Sequence, residues 1–491
     1  MKTIYKYIMY ACAMAFAGCS SGDDVAELTE ERNPGMVGTE VAFATEMDLF
    51  TRAHGGAISD LDALKATTEG FGVFAYLTGS SDWTEAVGAN AVDAPAYPTP
   101  DFMMNQQVTW GAQYSYTDAK GNDVIVRDWV YRPLKYWPNG TTGTDDPLTT
   151  DGNTDATNPQ RVSFFAYAPH ADGRVTDDAA AATLSPEAKG VISYARTYDK
   201  SPHVWYVIGD GGAGQIDLLW ANCIDARRNR QGLIEVDKNQ QAWTYQRVPL
   251  QFKHALSSID IFVQRIYDEQ VYSGKTIFDP VAKTKIDSTK LFVSRVKLTA
   301  ADGIVGTGGR GRLSLVDGTW TSLSGKPGDE EAAKVLTIRE SLIEDSLRGT
   351  LNNSMIILEL DRWPMRGYGV DENERRLLHA DSVLTMIPQT LTLTPEVTYS
   401  MVTQDNSLLL NDALKDSEGN LYSRIVNTLV ANPVTITFEP GKRYKLLLRI
   451  GVEHLTFEVL SVVDWDFPLR FNPYVVSGYT DETLPRRIDE E

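Results

Sequence analysis

The chain has 491 residues, 42% of them hydrophobic, with 66 Asp and Glu against 46 Lys and Arg and a formal charge of −20. A length of this order carries apolar content for two domains. The acidic balance excludes nucleic acid as a partner, because neutralising phosphates requires a basic surface.

At the amino end, Lys2 and Lys6 precede an apolar run from Tyr7 to Ala17 that leads into Gly18-Cys19. The run, about eleven residues, is short of the roughly 20 that span a bilayer and suits a secretory signal. A cysteine directly after small residues suits the lipoprotein form of that signal, in which Cys19 becomes the acylated first residue of the mature chain. Phe16 stands where Leu is more usual, and the alternative is an ordinary signal peptide with an incidental cysteine. Loss of residues 1–18 takes Lys2 and Lys6 with it, leaving a charge of −22. It also leaves only Cys19 and Cys223, so stability is expected from packed cores and not from disulfides. Ser20-Ser21-Gly22-Asp23-Asp24 reads as a polar tether, and its acidic pair resembles the surface-export signal of lipoproteins in some Gram-negative anaerobes.

Residues 40–56, EVAFATEMDLFTRAHGG, predict a strand. Val41, Phe43, Thr45, Met47 and Leu49 share one face, and Glu40, Ala42, Ala44, Glu46 and Asp48 the other. The strand runs into Arg52, and Ala53 to Ala57 with Gly55 and Gly56 reads as an exposed loop open to proteolysis. Ser59 to Asp62 predicts the start of a short helix with Ile58, Leu61 and Leu64 on one face. Gly70 stops it, and FGVFAYLTG (71–79) resumes as a strand. Runs at 124–130, 162–167, 204–208, 248–252, 259–263 and 291–298 are β-branched and aromatic and bounded by turn residues, the all-β pattern of sandwiches. A second helix is expected over roughly 329–346. Near the end, Val434, Ile436 and Phe438, then Pro440-Gly441, then Tyr444, Leu446, Leu448 and Ile450 predict a hairpin around a type II turn.

Residues 139–160 form a polar, low-complexity loop. Its Asp145, Asp146, Asp151 and Asp155 are acids that calcium could use, without EF-hand spacing. The Arg-, Asn- and Gln-rich stretch 227–242 separates two strand-rich halves. The tail after Trp465 offers another alternating strand, with Phe467, Leu469, Phe471, Pro473 and Val475 on one face. Pro468 and Pro473 each remove a ladder hydrogen bond, so a closing edge strand and a strand donated to another subunit stay equal alternatives.

Catalytic and cofactor signatures are weak. GTGGRG (306–311) fits G-x-G-x-x-G but is followed by a strand, not the helix a dinucleotide site requires, and reads as a turn. The six histidines lack metal-ligand spacing, and His254 is expected to be a satisfied residue at a strand bend. Asp464 and Asp466 share a strand face but need a cleft to act across a bond, and Cys223 reads as a small buried hydrophobe. Arg227, Arg228 and Arg230 form a run open to proteolysis unless folded domains hold it. Arg32 has no strand before it. No enzyme, cofactor or metal is expected.

Several stretches in order resemble the fimbrillin family, the lipoprotein pilins of type V pili and their Mfa-like relatives: FTRA (50–53), FGVFAY (71–76), LKYWPNG (134–140), VSFFAYAP (162–169), DLLWA (217–221), VPLQFKHALSSIDIFV (248–263), LTMIPQTL (384–391), GKRYKLLLRI (441–450) and VVDWD (462–466). The resemblance implies two transthyretin-like β-sandwich domains in a surface-exposed lipoprotein of the outer membrane. It also implies an arginine-specific protease that removes the first strand between Arg52 and Ala53, after which another subunit's strand fills the groove. The expected parts are a signal peptide (1–18), a lipidated leader with the removable strand (19–52), domains at 53–240 and 241–466, and a tail (467–491). The expected role is a structural or accessory pilus subunit contributing to adhesion, with other pilin subunits as partners and a host or bacterial surface ligand. The rival is a monomeric surface lipoprotein that binds a glycan or host protein and keeps residues 40–52.

Overall fold

The computed structural model describes residues 40–47, 58, 61–88, 97–117, 120–138, 160–181, 183–185, 187, 190–195, 200–209, 215–228, 233–238, 241–265, 278–279, 284–285, 289–301, 303–306, 308–324, 333–337, 376–377, 384–405, 407–409, 414–415, 419–451 and 454–465. Among these residues the chain is all-β. The strands are β1 (Phe43–Met47), β2 (Phe71–Gly79), β3 (Met103–Thr117), β4 (Asp123–Val130), β5 (Arg161–Ala168), β6 (Arg174–Val175), β7 (Val191–Ala195), β8 (His203–Val207), β9 (Leu219–Arg228), β10 (Ile234–Lys238), β11 (Gln241–Tyr245), β12 (Val248–His254), β13 (Ser257–Arg265), β14 (Phe278–Asp279) and β15 (Thr284–Lys285). They continue with β16 (Thr289–Ala300), β17 (Arg310–Ser314), β18 (Trp320–Ser324), β19 (Ala333–Thr337), β20 (Arg376–Leu377), β21 (Leu384–Met386), β22 (Thr390–Gln404), β23 (Leu414–Lys415), β24 (Leu421–Val430), β25 (Val434–Thr437), β26 (Lys442–Ile450) and β27 (Leu455–Asp464). The helices are short: α1 (Leu61–Ala66), α2 (Trp83–Val87) and α3 (Asp178–Ala181).

The chain divides into two compact units. Unit 1 comprises residues 1–46, 73–165 and 222–250, and unit 2 residues 47–72, 166–221 and 251–491. The sheet of β1 has the order β1-β12-β9-β5-β2-β3-β4, with the β10–β11 hairpin beside β9. Its centre is apolar on both faces: in β2 the run Phe71 to Tyr76 is buried throughout, as are Val162 to Ala168 in β5. The stretch 227–242 carries β10 and the end of β9, with Arg227 Nε 3.0 Å from Glu235 Oε2.

Unit 2 contains a β-sandwich. One layer has the order β19-β16-β22-β24-β23 with β25 on β22, the other β20-β13-β26-β27 with β21 on β13. Ile259, Ile261, Leu446 and Leu448 of one layer share a buried core with Val296, Leu298, Leu393 and Tyr399 of the other. Alternation puts each of these inward, as expected for sheets that face each other about 10 Å apart.

Among the described residues, the strand runs read at 71–79, 124–130, 162–167, 204–208, 248–252, 259–263 and 291–298 fall on strands, while 48–49 and the tail strand at 467–475 lie outside them. Two other expectations are corrected. Residues 434–450 do not form a hairpin. β25 pairs with β22, whereas β26 pairs in parallel with β13 and antiparallel with β27. Gly441 has the positive φ, 69°, that the predicted turn needs, but the turn carries the chain from one layer to the other. Ile436, Phe438, Tyr444 and Leu446 lie in one core, and a period of two is the same for strands side by side and strands face to face. The helix expected over 329–346 is replaced at Ala333–Thr337 by β19, which adds to the edge of β16. Cross-strand pairing overrides weak local preference there.

Candidate functional site

The first strand lies in a seat within unit 1. Val41 and Phe43 are buried, Thr45 is 9% exposed, and Ala42 and Ala44 between them are half-buried, so the predicted alternation holds. Its backbone is held on two sides. Val248 N donates to Ala42 O at 2.9 Å, and Val41 N donates to Lys135 O at 2.9 Å, beside an isolated bridge between Glu40 and Tyr136.

Side chains complete the seat. The Phe43 ring lies 5.8 Å from the Tyr131 ring and meets Phe164 edge-on at the same separation. The Tyr131 hydroxyl donates to Val41 O at 2.8 Å, and Trp129 Nε1 donates to Thr45 Oγ1 at 2.9 Å. Arg247 Nη1 lies 2.6 Å from Asp128 Oδ1 and reaches Phe43 O at 3.5 Å. Burial pushes the Tyr131 hydroxyl up to about 12, partly offset by its hydrogen bond at Lys135. A cleft of about 380 Å³ beside this strand is walled by Glu40, Val41 and Ala42, with Gln106, Thr109 and Gln113 of β3 opposite. The arrangement positions a strand; among the described residues no group of three or more His, Cys, Asp or Glu could hold a metal.

The structure thus brings Val41 and Phe43 together in the seat. The backbone of Met47 ends β1, while Leu49, Arg52, Ala53, Cys19, the loop 139–159 and the tail Phe467, Leu469, Phe471 and Val475 lie outside the described residues. Cys223 is buried in β9. Asp464 pairs with Lys442 Nζ at 2.6 Å on an exposed face, and Asp466 lies outside the described residues. GTGGRG leads through a turn at Gly308 into β17. Asp128, Trp129, Tyr131 and Arg247 were not singled out from the sequence. An acid beside a tryptophan inside the run DVIVRDWV was the available signal: Asp128 and Trp129 are the buried pair of an otherwise half-exposed strand, and a buried charge requires a partner.

No protein-family model matches the chain. Over 168 residues it is 29% identical to the fimbrium subunit Fim1C of Phocaeicola vulgatus, a stretch covering 34% of this chain and 31% of that protein. The chain therefore spans about a third of the curated relative it matches. A solved fimbrial protein from Bacteroides vulgatus is similar with a TM-score of 0.49 and 18% identity, covering 87% of this chain and 99% of that one. A solved protein of Bacteroides ovatus ascribed to cell adhesion has a TM-score of 0.35 and 12% identity, covering 87% and 97%. Over those 168 residues the chain is thus similar in sequence to a fimbrium subunit, in line with the resemblance carried by the ordered signatures quoted above.

Proposed function

We propose that the chain is a non-enzymatic fimbrial subunit with an adhesive role at the cell surface, anchored through a lipid on Cys19 and assembled by strand exchange. An arginine-specific protease cuts behind Arg52, residues 40–52 leave the seat, and a strand of another subunit replaces them. The tail, through Phe467, Leu469, Phe471 and Val475, supplies that strand to the next subunit.

The observation that carries this reading is the seat. A short strand near the amino end fills apolar positions through alternate residues, Val41 and Phe43, with Thr45 next in phase. A second strand of the same phase meets the same pockets, and main-chain hydrogen bonds supply the rest of the affinity. The acidic surface expected of the chain fits an extracellular partner other than nucleic acid.

The test is Arg52→Ala in the full-length lipoprotein. The variant should fold, resist the protease at this position and fail to polymerise. Polymer of normal length from Arg52→Ala refutes the site. Wild-type protein that loses residues 40–52 and stays monomeric favours the rival, a monomeric surface binder.

A further inference from the structure

Unit 2 buries a carboxylate, Asp217, at 1% exposure. Its Oδ2 accepts the backbone N–H of Ile58 at 3.1 Å, and its Oδ1 lies 3.0 Å from Nδ1 of His254. Which of the two atoms donates in the contact with His254 is set by the tautomer of the imidazole. The imidazole lies flat against Trp465, with ring centroids 4.4 Å apart and planes 8° apart. Ile58, His254 and Trp465 are themselves buried. Backbone bonds tie the same place together: Trp465 N donates to Gly441 O at 2.8 Å, Gly441 N to Leu256 O at 2.9 Å, and Ala255 N to Leu218 O at 2.8 Å.

Sequence position gives this network its interest. Ile58 lies six residues beyond Arg52, and Trp465 two residues before Phe467. A buried carboxylate is tolerated only while its hydrogen bonds are made, so loss of one contact of Asp217 or His254 weakens the hold on the others. We propose that Asp217 and His254 form a common clasp for the two ends of the processed chain, rooting the segment behind the cut and the donor tail at one buried point. This rests on the reading that residues 40–52 are released and the tail is passed on. Asp217 and His254 are positioning residues for that exchange, acting through Ile58 and Trp465.

The experiment follows segment-resolved hydrogen exchange and arginine-specific cleavage in the full-length chain. Trp465→Ala removes the ring stacked on His254 and leaves both partners of the Ile58–Asp217 hydrogen bond in place. It should nevertheless speed exchange at the Ile58 amide and cutting at Arg52 at least about tenfold, the scale of a lost hydrogen bond to a charged group. Trp465→Phe keeps a ring on the imidazole and should restore both to near the wild-type rate. Coupling is reciprocal, so Asp217→Asn should speed cutting in the tail at Arg470; this variant decides the matter if Trp465→Ala does not fold. Wild-type exchange at Ile58 in a folded Trp465→Ala, or equal acceleration throughout β26, overturns the clasp. If Arg52 is never cut, exchange at Ile58 still decides the clasp, and only the processing reading falls.

Discussion

β1 and β22 both bury one face, yet they are held in different ways. In unit 2, β22 pairs with β16 from Leu393 to Thr403, with β24 from Glu396 to Gln404 and with β25 from Thr390 to Leu393. In unit 1, β1 has β12 as its neighbour in the sheet, and its other side meets Lys135 and Tyr136 next to the bridge at Glu40. Much of its hold comes from side chains: Phe43 in its aromatic pocket, Tyr131 on Val41, Trp129 on Thr45 and Arg247 on Phe43. On the proposed reading, a strand seated at the edge by pockets is the one that another of the same phase replaces, while a strand paired on both sides is part of the framework.

The largest effects test that contrast directly. Phe43→Ala should cost about 3–5 kcal/mol, read as faster hydrogen exchange in β1 with little change in β22. Leu446→Ala, in the sandwich core, should cost about 2–5 kcal/mol and speed exchange across β13, β22 and β26 together. If both variants speed the same segments equally, the contrast fails.

Alkaline titration sharpens it next. The Tyr131 hydroxyl ionises near 12 in the folded chain, against 10 as its ordinary value. The unfolded chain therefore releases this proton first, and stability conferred by neutral Tyr131 is complete below pH 10 and lost as the pH climbs towards 12. The slope is at most about 1.4 kcal/mol per pH unit. Tyr131→Phe should flatten that slope around β1, and a slope unchanged in the variant assigns it elsewhere.

Arg247→Ala removes the partner of Asp128, which is itself 4% exposed. Loss of about 2–3 kcal/mol is expected from a mostly buried charge left unpaired, with faster exchange in β1 and β4. The smallest effect is that of Glu235→Gln on the half-buried Arg227 pair. A change of about 0.5 kcal/mol in the unfolding free energy, read from the denaturation midpoint, is expected, with no change in β1.

Much of this fold was legible in the sequence because strands write a period of two. FGVFAYLTG coincides with β2 from its first residue to its last, and the alternation at 41–45 named the residues that fill the seat. Periodicity does not specify which neighbour a strand takes. Pro440-Gly441 was recognisable as a turn, but whether it closes a hairpin or crosses between layers depends on β13 and β22, far away in the chain. The same limit hid β19, whose partner β16 lies more than thirty residues earlier. The seat's polar side was hidden for another reason. Arg247 and Asp128 are separated by 119 positions, and neither has a local pattern that announces the other. His254 was read as a satisfied residue, which holds, while its partners Asp217 and Trp465 emerge from the three-dimensional arrangement.

The central claim is that the first strand occupies its seat until another strand replaces it. The most direct measurement is the size of the protein by light scattering before and after arginine-specific cleavage, with and without a synthetic peptide of residues 40–52. The account predicts a monomer before cleavage, growth into polymer after residues 40–52 depart, and suppression of that growth by excess peptide. A cleaved protein that has lost the segment and remains monomeric, or a polymer whose growth ignores the peptide, would contradict it.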